Sequence, residues 1–303
     1  MYDLQLSYRR SSQTLNRENF AFLLSRFCGY SRFMRKKLLR LIPLTSLLAC
    51  MNVLAFATTP PKYGHESRPL AQDHSYFLNH KAPDFWALAP YYVHQQTGSA
   101  CSIASVTQVV NASRHAMNLD SDTRLATQNS VLEVVGDSRW TAAVGGINFR
   151  TIGNWTAILL NRVFHTHFKS FGVTLDELGP LVQKAIRAHG FPEARVEVFH
   201  ATDLSDATQK ELHRALVENE ESTRDFIILN FLQGVYTGDS DVGHVSPLAA
   251  YDALRRRALV MDVDREWYEP YWVSEAVLLK GMATLDSSSG KNRGWLWVHL
   301  GTK

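Results

Sequence analysis

The chain has 303 residues, 45% hydrophobic and 20% charged, the balance of a globular protein with room for one domain of about 250 residues and a leader. Its formal net charge of +3 is unevenly spread: residues 1–57 hold nine Lys/Arg against two Asp/Glu, so the remainder carries −4. That excludes a polybasic body of the kind that neutralises nucleic-acid phosphates, and no nucleic-acid partner is expected.

In chain order the first element is a leader. From Met34, "MRKKLLRLIPLTSLLACMNVLAFA" opens on Arg35, Lys36, Lys37 and Arg40, runs apolar from Leu41 to Leu54 and closes on Ala55-Phe56-Ala57. This reads as a secretory signal peptide over 34–57 with cleavage after Ala57. Translation is then expected to start at Met34, leaving residues 1–33 as an upstream extension. The protein is expected in the periplasm or secreted, with no stable membrane insertion after cleavage. An uncleaved anchor, or a lipoprotein site at Cys50 in "LLAC", stays open. Residues 58–82, with the Pro-containing "ATTPPKYGHESRPL", are expected as a linker and 83–303 as the folded domain.

Within that domain, "FWALAPYYVHQQTGSA" (85–100) is aromatic-rich and irregular. In "CSIASVTQVVNASRHAM", Ile103, Val106, Val110 and Met117 stand at helical spacing, so a buried helix begins near Cys101. A second helix is expected over 124–137, closed by Gly136, and short helices in the ambiguous stretch from Ser138. Residues 173–190 form the best amphipathic helix, with Thr174 as N-cap, Glu177 completing a capping box and Gly190 as terminator. "ARVEVFH" (194–200) alternates like a strand and 206–220 returns to helix. The texture then changes: "RDFIILNFL", "GHVSPLAAYD", "RRRALVMDVD" and "GWLWVHL" read as strands. Helices first and strands second give the α+β class, a helical N-terminal half packed on an antiparallel C-terminal sheet.

Of the cysteines Cys28, Cys50 and Cys101, only Cys101 survives removal of the leader, so no internal disulfide can form. A lone thiol can be an inert, buried small hydrophobe. It can also be a nucleophile, which requires a helix N-terminus and a histidine to favour the thiolate. A third group must orient the histidine, and a donor must receive the oxyanion. Cys101 opens a helix, and Gln95 on the preceding loop can turn its amide toward the same point. His244 stands early on a strand, with Gly243 clearing space before it. Asp262 lies in an apolar strand where a carboxylate needs a partner. A hairpin between them would set His244 and Asp262 side by side.

Those residues carry a resemblance. In order and spacing they are similar to the papain-like cysteine peptidase clan, and the local strings resemble phytochelatin synthase in its short bacterial form. The strings are "FWALAPYYVHQQTGSACSIASV", "GVTLDELGPLV", "DFIILNFL", "VGHVSPLAAYD" and "RALVMDVDREWYEPYWV". The resemblance implies a papain-like fold over 83–303, with Cys101 as nucleophile, His244 as general base and acid, Asp262 as its orienter and Gln95 as oxyanion donor. It implies cleavage of the Cys–Gly bond of glutathione through a γ-glutamylcysteinyl thioester, then transfer to a second glutathione or to water. Free glutathione, or its metal thiolates, would be the substrate, with no cofactor; a homodimer stays open. Arg265 matches an arginine suited to the second substrate's carboxylate, and Gly243 and Tyr268 join it as substrate contacts. Two positions after Arg265, Trp267 stands where the family often has lysine, so hydrolysis is expected to exceed chain extension.

Other signals point less far. His165 and His167 of "HTH", with His74 and His80, read as solvated histidines, and no metal site is expected. "RRR" (255–257) reads as a solvated turn, and "WYEPYW" (267–272) as packing at the sheet edge or a wall of the substrate pocket. Two rival functions remain: an exported papain-like peptidase of other specificity, and a non-catalytic module that binds thiols or metal peptides.

Overall fold

The computed structural model describes residues 62–117, 123–144, 172–239 and 241–301. The leader, its cleavage site, and His165 and His167 lie outside them. No described helix is long and apolar enough to cross a membrane.

The centre of the domain is a seven-stranded sheet whose neighbours all run antiparallel. Its strands are β1 (Ser67–Pro69), β2 (Arg195–His200), β3 (Asp225–Leu232), β4 (Gly243–Asp252), β5 (Arg257–Val260), β6 (Tyr271–Ser274) and β9 (Gly294–His299). The spatial order is β1-β6-β5-β4-β3-β9-β2. A short hairpin, β7 (Leu285–Asp286) with β8 (Lys291–Asn292), stands apart from it.

The central strands are apolar at successive positions because both faces are covered. On β3, Phe226 and Ile228 point into one core, whereas Ile227, Leu229 and Phe231 point into the other. The first core is closed by α1 (Pro83–Leu88), α2 (Cys101–Ala112), α3 (Gln128–Val135), α4 (Ser138–Val144) and α5 (Leu175–Ala188). The second is closed by α6 (Asp206–Glu221), the single turn α7 (Gln233–Thr237) and α8 (Glu275–Met282).

The α+β class expected from the order of elements is what the structure has. The capping box of α5 is formed: Thr174 Oγ1 accepts from Glu177 N, and Glu177 Oε2 accepts from Thr174 N at 2.9 Å. Gly136 ends α3 with φ +68°. Three expectations need correction. The region 58–82 is not all linker, since Ser67–Pro69 pairs with Tyr271–Val273 as the sheet's edge. The "RRR" turn is not wholly solvated: Arg257 is half-buried over the Trp272 ring and ion-paired with Asp73 and Asp252. Finally, a helix stands where none is expected: α8 follows directly on β6, and its charged positions are few. Ser274 caps it by accepting from Val277 N at 3.3 Å.

Candidate active site

Cys101 is the first residue of α2, half-buried at the floor of a cleft. The helix start has no side-chain cap, so its first N–H groups are not consumed by a capping oxygen. Ser105 holds this turn against the sheet, its one Oγ proton shared between Cys101 O (2.8 Å) and Val245 O (2.9 Å). The second of these carbonyls is one residue from His244, so the hydroxyl joins the helix of Cys101 to the strand of His244.

His244 lies near the start of β4 and is 4% exposed; Asp262, just past β5, is fully buried. The β4–β5 register, Leu248 opposite Val260, continues to put Asp262 across from Ser246, on the same face as His244. His244 Nε2 and Asp262 Oδ1 are 2.7 Å apart. That leaves Nδ1 as the ring nitrogen open to the Cys101 thiol, which stands near enough to help raise the imidazole's pKa. Asp262 is itself held: Asp264 N donates to Oδ1 at 2.9 Å, Tyr271 Oη donates to Oδ2 at 2.9 Å, and Tyr92 Oη donates to its carbonyl.

The electrostatics follow from this closed set. Burial by itself would push the His244 imidazole down, but the Asp262 carboxylate, with Cys101 adding to it, holds the ring well above its ordinary value. Burial likewise opposes ionisation of Asp262. The His244 cation and the donors from Asp264 and Tyr271 outweigh it and keep the carboxyl below the usual range. An imidazolium flanked by a carboxylate and a thiol is the arrangement needed for nucleophilic acyl transfer with a built-in proton donor.

Gln95 is 4% exposed, and its backbone N–H donates to Val263 O at 2.9 Å, which ties the loop to the residue after Asp262. Its side-chain Oε1 is buried without a hydrogen-bond partner among the described residues. Thus Cys101, His244 and Asp262 come together from α2, β4 and the end of β5, and the loop before α2 that carries Gln95 is tied to the residue after Asp262.

The cleft has a volume of about 340 Å³, and its walls include Ser102, Asn230, Gly243, Asp286 and Arg293. At Gly243 a Cβ would stand 3.0 Å from Arg293 Nη2, so the glycine leaves room for that guanidinium. Arg293 is 9% exposed and donates from Nη1 to Leu285 O at 2.7 Å. No carboxylate among the described residues lies within ion-pair distance of it, and burial lowers its pKa, with Asp286 opposing. A buried guanidinium lining the same cleft as Cys101 is a seat for an anion. Asn230 Oδ1 is buried there without a partner among the described residues.

The other two expected contacts are elsewhere. Arg265 stacks on the Tyr92 ring, 4.3 Å from its centroid, and donates to Tyr92 O at 2.6 Å; it does not line this cleft. Tyr268 is 4% exposed in the second core, edge-on to Tyr63 and Tyr271, and donates to Asp239 Oδ2 at 2.5 Å. Sequence reasoning missed Arg293 and Asp286, having read "NRGWLWV" as a core strand only. The signal was an arginine placed immediately before six buried or nearly buried strand residues, where a charge needs a reason. His74 and His80 are exposed, and no described His, Cys, Asp and Glu group together as metal ligands.

Comparison with known proteins gives a family model described as phytochelatin synthase, matching residues 73–295. Glutathione gamma-glutamylcysteinyltransferase 1 of Arabidopsis thaliana is 33% identical over 105 residues, 35% of this chain and 21% of that protein. Glutathione gamma-glutamylcysteinyltransferase 3 of Lotus japonicus is 26% identical over 215 residues, 71% of this chain and 37% of its own length. The chain therefore matches well under half the length of these curated relatives. Among solved structures, the Pseudomonas avirulence protein AvrPphB aligns over 70% of this chain and 97% of its own, at 11% identity and a TM-score of 0.30.

Proposed function

The chain belongs to the phytochelatin synthase family, and from that premise we propose that it is a glutathione γ-glutamylcysteinyl transferase and hydrolase acting through a Cys101 thioester. The observation that carries this reading is the buried His244–Asp262 pair, with Cys101 at the head of α2 near enough to influence its charge. The Cys101 sulfur attacks the carbonyl carbon of the Cys–Gly amide, and the oxyanion is met by the Cys101 backbone N–H and the Gln95 amide. His244 passes its proton from the imidazolium to the departing glycine nitrogen as the C–N bond breaks. The γ-glutamylcysteinyl thioester remains. Water, or the amine of a second glutathione, then attacks it while His244 takes the proton and sulfur leaves.

Substrate class is argued from the cleft. A γ-glutamyl group ends in a free amino-acid head, one carboxylate and one ammonium on the same carbon. Arg293 suits the first and Asp286 the second, and both line the wall beside Cys101. An ordinary peptide presents no such zwitterion on a side arm, which disfavours a general peptidase. Trp267, 57% exposed, stands where a cation would help to hold an acceptor peptide, so water is the expected acceptor. Export is proposed on the leader sequence alone.

Protein recovered outside the cytoplasm, beginning at Thr58, is the form to assay. Incubated with glutathione, it is expected to release glycine, with γ-glutamylcysteine as the main thiol on chromatography. Cys101→Ala should release none. Predominant (γ-Glu-Cys)n-Gly oligomers would overturn the hydrolytic preference, and absence of glycine release by the wild type would overturn the function.

A further inference from the structure

Gln95 is asked to place an amide where charge develops, yet its own carboxamide oxygen has no hydrogen-bond partner among the described residues. What fixes it is the backbone on either side. Gln128, the first residue of α3 and 5% exposed, reaches back 32–34 residues to that loop. Its Nε2 donates to His94 O at 2.8 Å and its Oε1 accepts from Gln96 N at 3.3 Å. One side-chain amide thus grips the peptide groups immediately before and after Gln95.

Gln128 is anchored in turn. Thr127 caps α3 in a reciprocal box with Ser130. Asn111 of α2 clasps Ala126 in the same two-handed way, Nδ2 to Ala126 O at 2.9 Å and Oδ1 from Ala126 N at 2.8 Å. The path runs from the helix that carries Cys101, through Asn111 and Ala126, to Gln128 and so to Gln95. Its far end closes at Val263, next to Asp262, through the Gln95 N–H. Each amide exhausts a donor and an acceptor on backbone groups, so neither clasp can rotate freely without leaving buried polar atoms unpaired.

We infer that Gln128 is a positioning residue for the reaction: by gripping His94 O and Gln96 N it holds Gln95 at the oxyanion relative to Cys101. The inference rests on the proposed acyl transfer for the part Gln95 plays. Gln128 touches neither substrate nor the reacting atoms in this role.

A preorganised donor acts on the transition state and little on substrate binding. Gln128→Met, near in size, is therefore expected to lower kcat for glycine release about tenfold with KM within about twofold. Gln128→Glu keeps the acceptor for Gln96 N but sets a second acceptor oxygen against His94 O, and should lose at least as much kcat as Gln128→Met. Gln95→Ala alone should cost about a hundredfold, and adding Gln128→Met to it less than about twofold more. Amide exchange at Gln96 in the Met variant should accelerate at least about tenfold. Additive losses in the double variant, a change in KM rather than kcat, or unchanged exchange at Gln96 would each overturn the inference. If wild type proves inactive on glutathione, the functional reading fails, and the exchange measurement still decides whether Gln128 holds the loop.

Discussion

Asp262 shows how far one carboxylate reaches. It has no exposure, accepts from Asp264 N and Tyr271 Oη, and carries the cation that would otherwise be expelled from so apolar a place. His244 folds with its imidazole raised. The stability it contributes is therefore fully present below its ordinary value of 6.5 and is lost as pH rises through the folded value. Asp262 folds with its carboxyl lowered, so its contribution is present above its ordinary 3.8 and is lost as pH falls through the folded value. Asp262→Asn removes the attraction and leaves the burial. The His244 ring should then titrate below its wild-type value by proton NMR, and glycine release should drop by about a hundredfold or more, as expected when a histidine loses its orienting carboxylate. An imidazole that titrates where it did in wild type would show that Asp262 is not what raises it.

Elements meet at distances that only particular residues allow. Gly294 opens β9 opposite Asn230 of β3 and His200 of β2, and a Cβ built there would lie 1.9 Å from Phe199 O. The offending atom is strand backbone, which cannot swing aside as a long side chain could. Gly294→Ala should therefore part β2 from β9 and cost about 3 kcal/mol, read as a lower midpoint in urea. A melt indistinguishable from wild type would mean that the strands separate there at little cost. Gly294 directly follows Arg293, so the same close approach fixes where the guanidinium enters the cleft. Gly179 of α5 makes a related approach to the edge, its Cβ position 2.7 Å from Val198 Cγ2. The capping box could be read from Thr174 and Glu177, because capping is local. The glycine contacts could not, because they depend on which strand lies next door.

For the molecule as a whole, acid and base groups away from the cleft tie its layers together. Tyr76 donates to Glu220 Oε1 at 2.8 Å, and Tyr251 N donates to Oε2 at 2.6 Å, so Glu220 joins the segment after β1, the end of α6 and strand β4. Burial prevails over both donors and pushes the Glu220 carboxyl up to about 7. A raised folded value means that its contribution to stability is full below 4.5 and is lost as pH rises through about 7. Global stability measured by denaturant melts should thus decline over that window, and Glu220→Gln should flatten the decline. A slope unaltered by the substitution would assign the loss to other groups.

The sequence by itself determined that a helix begins at Cys101, that Thr174 starts another and that the strands come late. It also determined that His244 and Asp262 are titratable residues in stretches otherwise built for burial. Period, caps and composition are properties of neighbours along the chain, and they survive without a fold. Only the tertiary structure decided that strand pairing points Asp262 at His244 and that α2 brings Cys101 to the same ring. It alone decided that Arg293 shares their cleft, that Tyr268 lies in the second core and that Gln128 reaches back to Gln95. These depend on side chains meeting across 18 residues of chain or more. Such meetings are fixed by sheet register and packing, which no local window contains.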